Sequence, residues 1–189
     1  MIVAAACASG PSAGTGPRPV GLSPCSRSFV FVDHGRAAAR IEIPESAGEV
    51  ERRAADILRT SVFKMTGVDL PVLEVETPDW PGVAAVGFPP SEWPPVLKAS
   101  LASLRPDGFA VGTSTGNLYI AGGAGRGVIS GVVHLLEKYF GCRMSGPAGE
   151  LFPRRDDLAL GCLFETENPA NDETGVRQIR FPVGTGKGV

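Results

Sequence analysis

The run Leu118-Tyr119-Ile120-Ala121-Gly122-Gly123-Ala124-Gly125-Arg126-Gly127 joins an alternating apolar segment to a helix-like one. Glycines at such a junction let a pyrophosphate approach a helix N-terminus. The spacing does not complete a dinucleotide fingerprint: counting from Gly123 and Gly125 puts Val128 at the third glycine position, and counting from Gly125 and Gly127 puts Ser130 there. No Gly-Lys-Ser/Thr follows, so a Walker-type loop is excluded as well, and no cofactor is expected. Arg126 is the one charged residue of the run. At a helix start, where exposed N–H groups favour anions, it is a candidate ligand for a sugar carboxylate or phosphate. The competing reading is an arginine that bonds neighbouring carbonyls and fixes the turn.

Other chemistry-bearing residues are thinly spread. Ser130 and His134 lie four apart on one helical segment, but a serine nucleophile needs a strained exposed turn and a third orienting group, and His134 reads as a boundary residue. Asp156, Asp157, Glu165 and Glu167 sit in polar stretches and read as solvated surface, so no glycosidase-type acid/base pair is nominated. Trp80 and Trp93, each beside prolines, are candidate platforms for stacking on sugar rings; packing of their loop back onto the domain is the competing reading. Cys7, Cys25, Cys142 and Cys162 form no Cys-x-x-Cys pair and only His34 and His134 accompany them, so no metal site is expected. Cys142 and Cys162 are candidates for a disulfide in an exported chain, with buried free thiols as the alternative.

Met1 to Ala6 is a short apolar run that ends in Ala-Ala-Ala-Cys7, followed by a Ser/Gly/Pro-rich tract to Pro19. It resembles the end of a bacterial lipoprotein signal in which Cys7 is acylated, although the basic and most of the apolar regions are missing. Export to the periplasm or a lipid anchor is the expectation from it, with a non-native leader on a cytoplasmic chain as the alternative. No run of 18 or more apolar residues occurs, so no transmembrane span is expected.

These residues must be positioned by a single globular core. The chain has 189 residues, 43% of them hydrophobic and 20% charged, within reach of one domain plus irregular ends. The net charge is −2 with Lys and Arg scattered, which excludes the basic footprint of a nucleic-acid binder. Phe29 to Val32 reads as a strand, Asp33-His34-Gly35 as a turn, and Ala38 to Ile43 as the returning half-buried strand of a hairpin, with Ile41 and Ile43 inward and Arg40 and Glu42 outward. Ser46-Ala47-Gly48-Glu49 matches a capping box. Val50, Ala54, Ile57, Leu58, Ser61 and Met65 then form one helical stripe that Gly67 ends. Leu70 to Val75 and Val83 to Phe88 read as strands, and strand, helix, strand implies a parallel pair. Pro89 to Ala102 is an excursion with a short helix from Val96. Phe109 to Thr113 and Leu118 to Ile120 form a hairpin about Ser114-Thr115-Gly116-Asn117. A second helix carries Val128, Val132, Leu135, Leu136 and Tyr139 inward and stops at Gly141. Leu158 to Phe164 is a last strand. The fold class is α/β (α+β): a mixed sheet with two main helices on one face.

Several strings, in order, carry a resemblance: Phe31-Val32-Asp33-His34-Gly35, Ile41-Glu42-Ile43-Pro44, Lys64-Met65-Thr66-Gly67, Leu70-Pro71-Val72, Asp107-Gly108-Phe109, Asn117-Leu118-Tyr119-Ile120-Ala121-Gly122, Arg126-Gly127 and Leu136-Glu137-Lys138-Tyr139-Phe140-Gly141-Cys142-Arg143. Together they resemble the N-terminal accessory domain of α-glucuronidase-like glycoside hydrolases, over about residues 28–165. The resemblance implies a fold like the second domain of β-N-acetylhexosaminidases. It also implies a non-catalytic role beside a (β/α)8 barrel, in cis or in trans, that carries the acid and base. Residues 1–27 are then a leader and 166–189 a tail, in which Asn168-Pro169-Ala170 looks like the approach to a barrel that is absent. No catalytic residue of the family has a counterpart here. A truncated gene product, or a stand-alone module that binds glycans or a protein, is the corresponding expectation.

Overall fold

A computed structural model describes residues 27–144 and 149–168. Its largest unit is a six-stranded mixed sheet in the order β4-β3-β5-β7-β6-β9, where β3 is Arg40–Pro44, β4 Val72–Val75, β5 Val83–Val86, β6 Phe109–Ser114, β7 Asn117–Gly122 and β9 Phe164–Glu167. The first four strands in that order are parallel, while β6 runs antiparallel to both β7 and β9. A smaller sheet, β2-β1-β8, is built from Phe29–Asp33 (β1), Arg36–Ala37 (β2) and Leu158–Leu160 (β8).

Helices α1 (Glu49–Thr66) and α3 (Gly127–Phe140) pack on one face of the large sheet. The spacing of their apolar residues dictates this. Ala54, Ile57, Leu58, Ser61, Val62 and Met65 of α1, and Val128, Val132, Leu135, Leu136 and Phe140 of α3, are buried. They meet Ile41, Ile43, Ala84, Val86, Leu118, Ile120, Phe109 and Val111 from the sheet. Phe29, Phe31, Leu158 and Leu160 of the small sheet close the same core, and each such fully buried side chain contributes about 1.5–3 kcal/mol. Both helices end at glycines in the left-handed conformation, Gly67 (φ 77°) and Gly141 (φ 70°), as the sequence predicts. The opposite sheet face is also covered. The excursion after β5 carries a 3-10 turn, Pro90–Glu92, and a short helix α2, Pro95–Leu101. It lays Trp93 and Leu97 on Ala110, Tyr119 and Ala121.

Four local expectations are corrected. The first hairpin is only two residues deep: Asp33 and Val32 face Arg36 and Ala37, after which the chain leaves for the other sheet. There β3 lies between β4 and β5. A central strand is covered on both faces, so Glu42, expected outward, is 1% exposed. The helix cap is shifted as well. Gly48 is the N-cap and its N–H donates to Glu51 Oε2 at 2.9 Å, so Glu51 takes the role expected of Glu49. Finally, the segment read as one last strand is two, β8 and β9, which belong to different sheets. The hairpin β6–β7 is as expected, with Ser114 opposite Asn117 and positive φ at Thr115 (51°) and Gly116 (79°), the backbone that fits strand twist.

Candidate functional site

The strongest convergence of ionisable groups forms where α3 meets the edge strand β9. Residues directly opposite each other on antiparallel strands share a face. Val111 pairs with Glu165 and Phe109 with Glu167; Phe109 and Val111 face the helices, so both glutamates do too. On α3, His134, Lys138 and Tyr139 lie four and five residues apart along the flank that reaches β9. The Glu165 carboxylate joins all three: Oε2 lies 2.6 Å from His134 Nε2, while Oε1 accepts from Lys138 Nζ at 2.6 Å and from Tyr139 OH at 2.7 Å. The other imidazole nitrogen, Nδ1, lies 3.7 Å from Glu167 Oε1. The Phe109 ring packs on the imidazole with centroids 4.9 Å apart.

The electrostatics follow from these contacts. Burial alone raises the Glu165 carboxyl, but hydrogen bonds from Lys138, Tyr139 and His134, with the Lys138 charge, outweigh it and bring the group down to about 2. Burial, then the hydrogen bond to Glu165 and its charge, push the Tyr139 phenol well above its usual range. A carboxylate held ionised and fully bonded is a poor general acid and a poor nucleophile; it is a fixed anion that ties a helix to a strand. His134 was readable only as a boundary residue and Glu165 only as surface, since the two meet solely through the β6–β9 register. Ser130 is half-buried four residues before His134, whose Nε2 is turned to Glu165 instead.

The glycine-rich loop packs directly against the backbone of residues 105–108. A Cβ added at Gly123 would overlap the Arg105 carbonyl oxygen, and one at Gly127 would overlap that of Gly108. Gly123 N–H donates to Gly108 O and Gly125 N–H to Pro106 O, both at 2.8 Å. The anion at the start of α3 is internal: Asp107 Oδ1 accepts from Arg126 N at 3.4 Å. Arg126 occupies the N-cap position with an exposed side chain.

Neither tryptophan offers an open platform. Trp93, a candidate stacking platform from the sequence, is 2% exposed because its ring fills the sheet face 5.4 Å from the Tyr119 ring. Its Nε1 donates to Phe88 O at 3.2 Å. Trp80 is half-buried, 5.0 Å from the same tyrosine ring. Its loop is anchored by the buried Glu42, which accepts from Arg40 Nε at 2.6 Å and from Asp79 N–H at 3.0 Å, while Arg40 also bonds the Asp79 carbonyl.

Of the two readings open for Cys142 and Cys162, the bridge between them is not formed. Cys142 is a free thiol, 2% exposed, with Sγ 3.5 Å from Met65 Sδ in the core; burial pushes it up, and it is unreactive by position. Cys162 sits on the exposed segment between β8 and β9 and is disulfide-bonded. Cys7, Pro169 and Ala170 lie outside the described residues. Asn168 is described, and its side chain accepts from Arg105 N–H at 2.8 Å and donates to Ser103 O at 3.0 Å.

Asp33, His34 and Asp157 bring ligand-type atoms within 4.8 Å of one another, all exposed. The contact is organised by His34 N–H, which donates to Asp157 Oδ1 at 2.6 Å. Sequence spacing gave no sign of it because Asp157 comes from the far end of the domain. Among the described residues, no helix is long and apolar enough to cross a membrane.

Compared with family models and with curated proteins, the chain matches none.

Proposed function

We propose that this chain is a non-catalytic accessory domain of the kind that precedes the barrel of α-glucuronidase-like glycoside hydrolases, with a fold like the second domain of β-N-acetylhexosaminidases. One observation carries it: the strings that bear the resemblance lie at fold-determining positions. Asp33-His34-Gly35 is the β1–β2 turn, Gly67 and Gly141 end the two long helices, and Asp107-Gly108 and Arg126-Gly127 are the two sides of the close backbone contact beneath α3. Residues that cap, turn and interlock specify a scaffold, and they supply no acid or base. Glu165, a half-buried carboxylate beside a histidine and a tyrosine, is engaged in holding β9.

The alternative, a stand-alone interaction module, gains from the covering of both faces of the six-stranded sheet. Among the described residues, the exposed large apolar side chains are Phe63, Leu73 and Leu151. With Trp93 buried, a glycan partner would have to be held elsewhere, which shifts this alternative toward a protein partner.

The test is activity and assembly together. The purified chain is expected to release nothing from aryl α-glucuronides or aryl β-N-acetylhexosaminides. Mixed with an α-glucuronidase barrel lacking its own N-terminal domain, it is expected to form a 1:1 complex by light scattering. Turnover that co-purifies with the chain and disappears in Glu165→Gln overturns the non-catalytic role. Two species that never associate overturn the barrel partnership and favour the module.

A further inference from the structure

We propose that Cys25 and Cys162 form a disulfide that staples the chain entering β1 to the β8–β9 connection. Cys162 is disulfide-bonded, and the sequence holds three other cysteines, Cys7, Cys25 and Cys142. Cys142 is a free thiol inside the core. That leaves Cys7 and Cys25, both outside the described residues, and the fold chooses between them. In the small sheet Phe29 lies opposite Leu160 and Val30 opposite Ala159. Each step outward along an antiparallel pair takes one residue from each strand. Two steps beyond Phe29 and Leu160, Arg27 comes level with Cys162.

Contacts with the β6–β7 hairpin support the same placement. Leu163 N–H donates to Thr113 Oγ1 and Thr113 N–H to Leu163 O, both at 2.9 Å, while a Cβ built on Gly116 would stand 3.9 Å from Arg27 Cβ. Arg27 and the segment around Cys162 therefore flank one turn, Thr113 to Gly116. Two residues of chain reach at most about 7 Å, and a disulfide joins Cα atoms about 4.4–6.8 Å apart, so a cysteine at position 25 is within range of Cys162. From position 7 a far longer tether must be closed, and the entropy cost of closure grows with its length. Formation removes a proton and an electron from each thiol; the two protons and two electrons reduce a disulfide oxidant to two thiols. Cys162 is exposed, and an exposed bond persists in an oxidising compartment but is reduced by cytosolic thiols, in keeping with the export expected from the leader. The staple is independent of the accessory-domain proposal: it concerns how the small sheet is closed, whatever the domain serves.

The measurement is a peptide map of the full chain refolded in a mixture of oxidised and reduced glutathione, then alkylated without reduction. Trypsin releases Cys162 in residues 156–177 and leaves Cys7 and Cys25 together in residues 1–27, since the Arg18–Pro19 bond resists cleavage. Fragmentation of the linked pair in the mass spectrometer is expected to place the bond on Cys25, with Cys7 and Cys142 carrying the alkyl label. An unlinked Cys162, or a bond from it to Cys7, to Cys142 or to a second copy of the chain, overturns the pairing. Reduction is expected to lower the thermal midpoint by about 5–15 °C. Cys7→Ser should keep this response and Cys162→Ser should lose it. A midpoint indifferent to reduction, or a response that survives in Cys162→Ser, overturns the staple as a hold on the small sheet. Should Cys162→Ser fail to fold, the wild-type map and its midpoint decide the matter alone.

Discussion

Glu165 illustrates how a single carboxylate acquires its meaning from its partners. Three donors from one helix converge on it, and the group sits at about 2 against an ordinary 4.5. A depressed carboxyl contributes stability that is fully present above its unfolded value and lost as pH falls through the folded one. For Glu165 that window runs from 4.5 down to about 2. Denaturant midpoints measured against pH should therefore drop across this window by an amount equivalent to about 1–2 kcal/mol, after allowance for solvent screening. Glu165→Gln should lower the neutral-pH midpoint and flatten the acid limb. An unchanged acid limb in the variant would mean that other carboxylates carry it.

Elements were legible in the sequence wherever their signals are local. The α1 stripe, the glycines that end both helices and the Thr115-Gly116 turn rest on spacings of a few residues, and the structure has them. What the sequence hid depends on partners far along the chain. Glu42 looks outward until β5 and the 76–82 loop cover it. Leu158 to Phe164 looks like one strand because nothing local says that Phe29 takes its first half and Gly112 its second. The candidate site was hidden for the same reason: His134 and Glu165 were each visible, but their meeting is a matter of register. The glycine loop shows the converse. Its composition invites a phosphate, and only the approach of Arg105 to Gly108 explains the glycines. Gly123→Ala and Gly127→Ala should each cost roughly 2–3 kcal/mol or more, since the added methyl meets backbone that cannot yield. Gly161→Ala, with open space around the added atom, should be nearly neutral. Thermal unfolding of the three variants checks the contrast, and equal losses in all three would refute the close-packing account.

At the scale of the molecule, the large sheet is a shared wall between two apolar compartments, one under α1 and α3 and the other under the Trp93 excursion. Trp93→Ala should cost about 3–5 kcal/mol, as for a large aromatic removed from a core, and Trp80→Ala less, because Trp80 is only half-buried. Comparable losses from both, by urea denaturation, would contradict a second compartment centred on Trp93. The small sheet has a consequence of another kind. In it Phe29, Val30 and Val32 are paired with Leu160, Ala159 and Leu158, so β1 waits for a partner that comes far later in the chain. Until then Phe29 and Phe31 have no lid beside Phe140, and a nascent chain halted before Leu158 is left with greasy residues uncovered. Such a chain is a substrate for chaperones, since uncovered apolar surface is prone to aggregate.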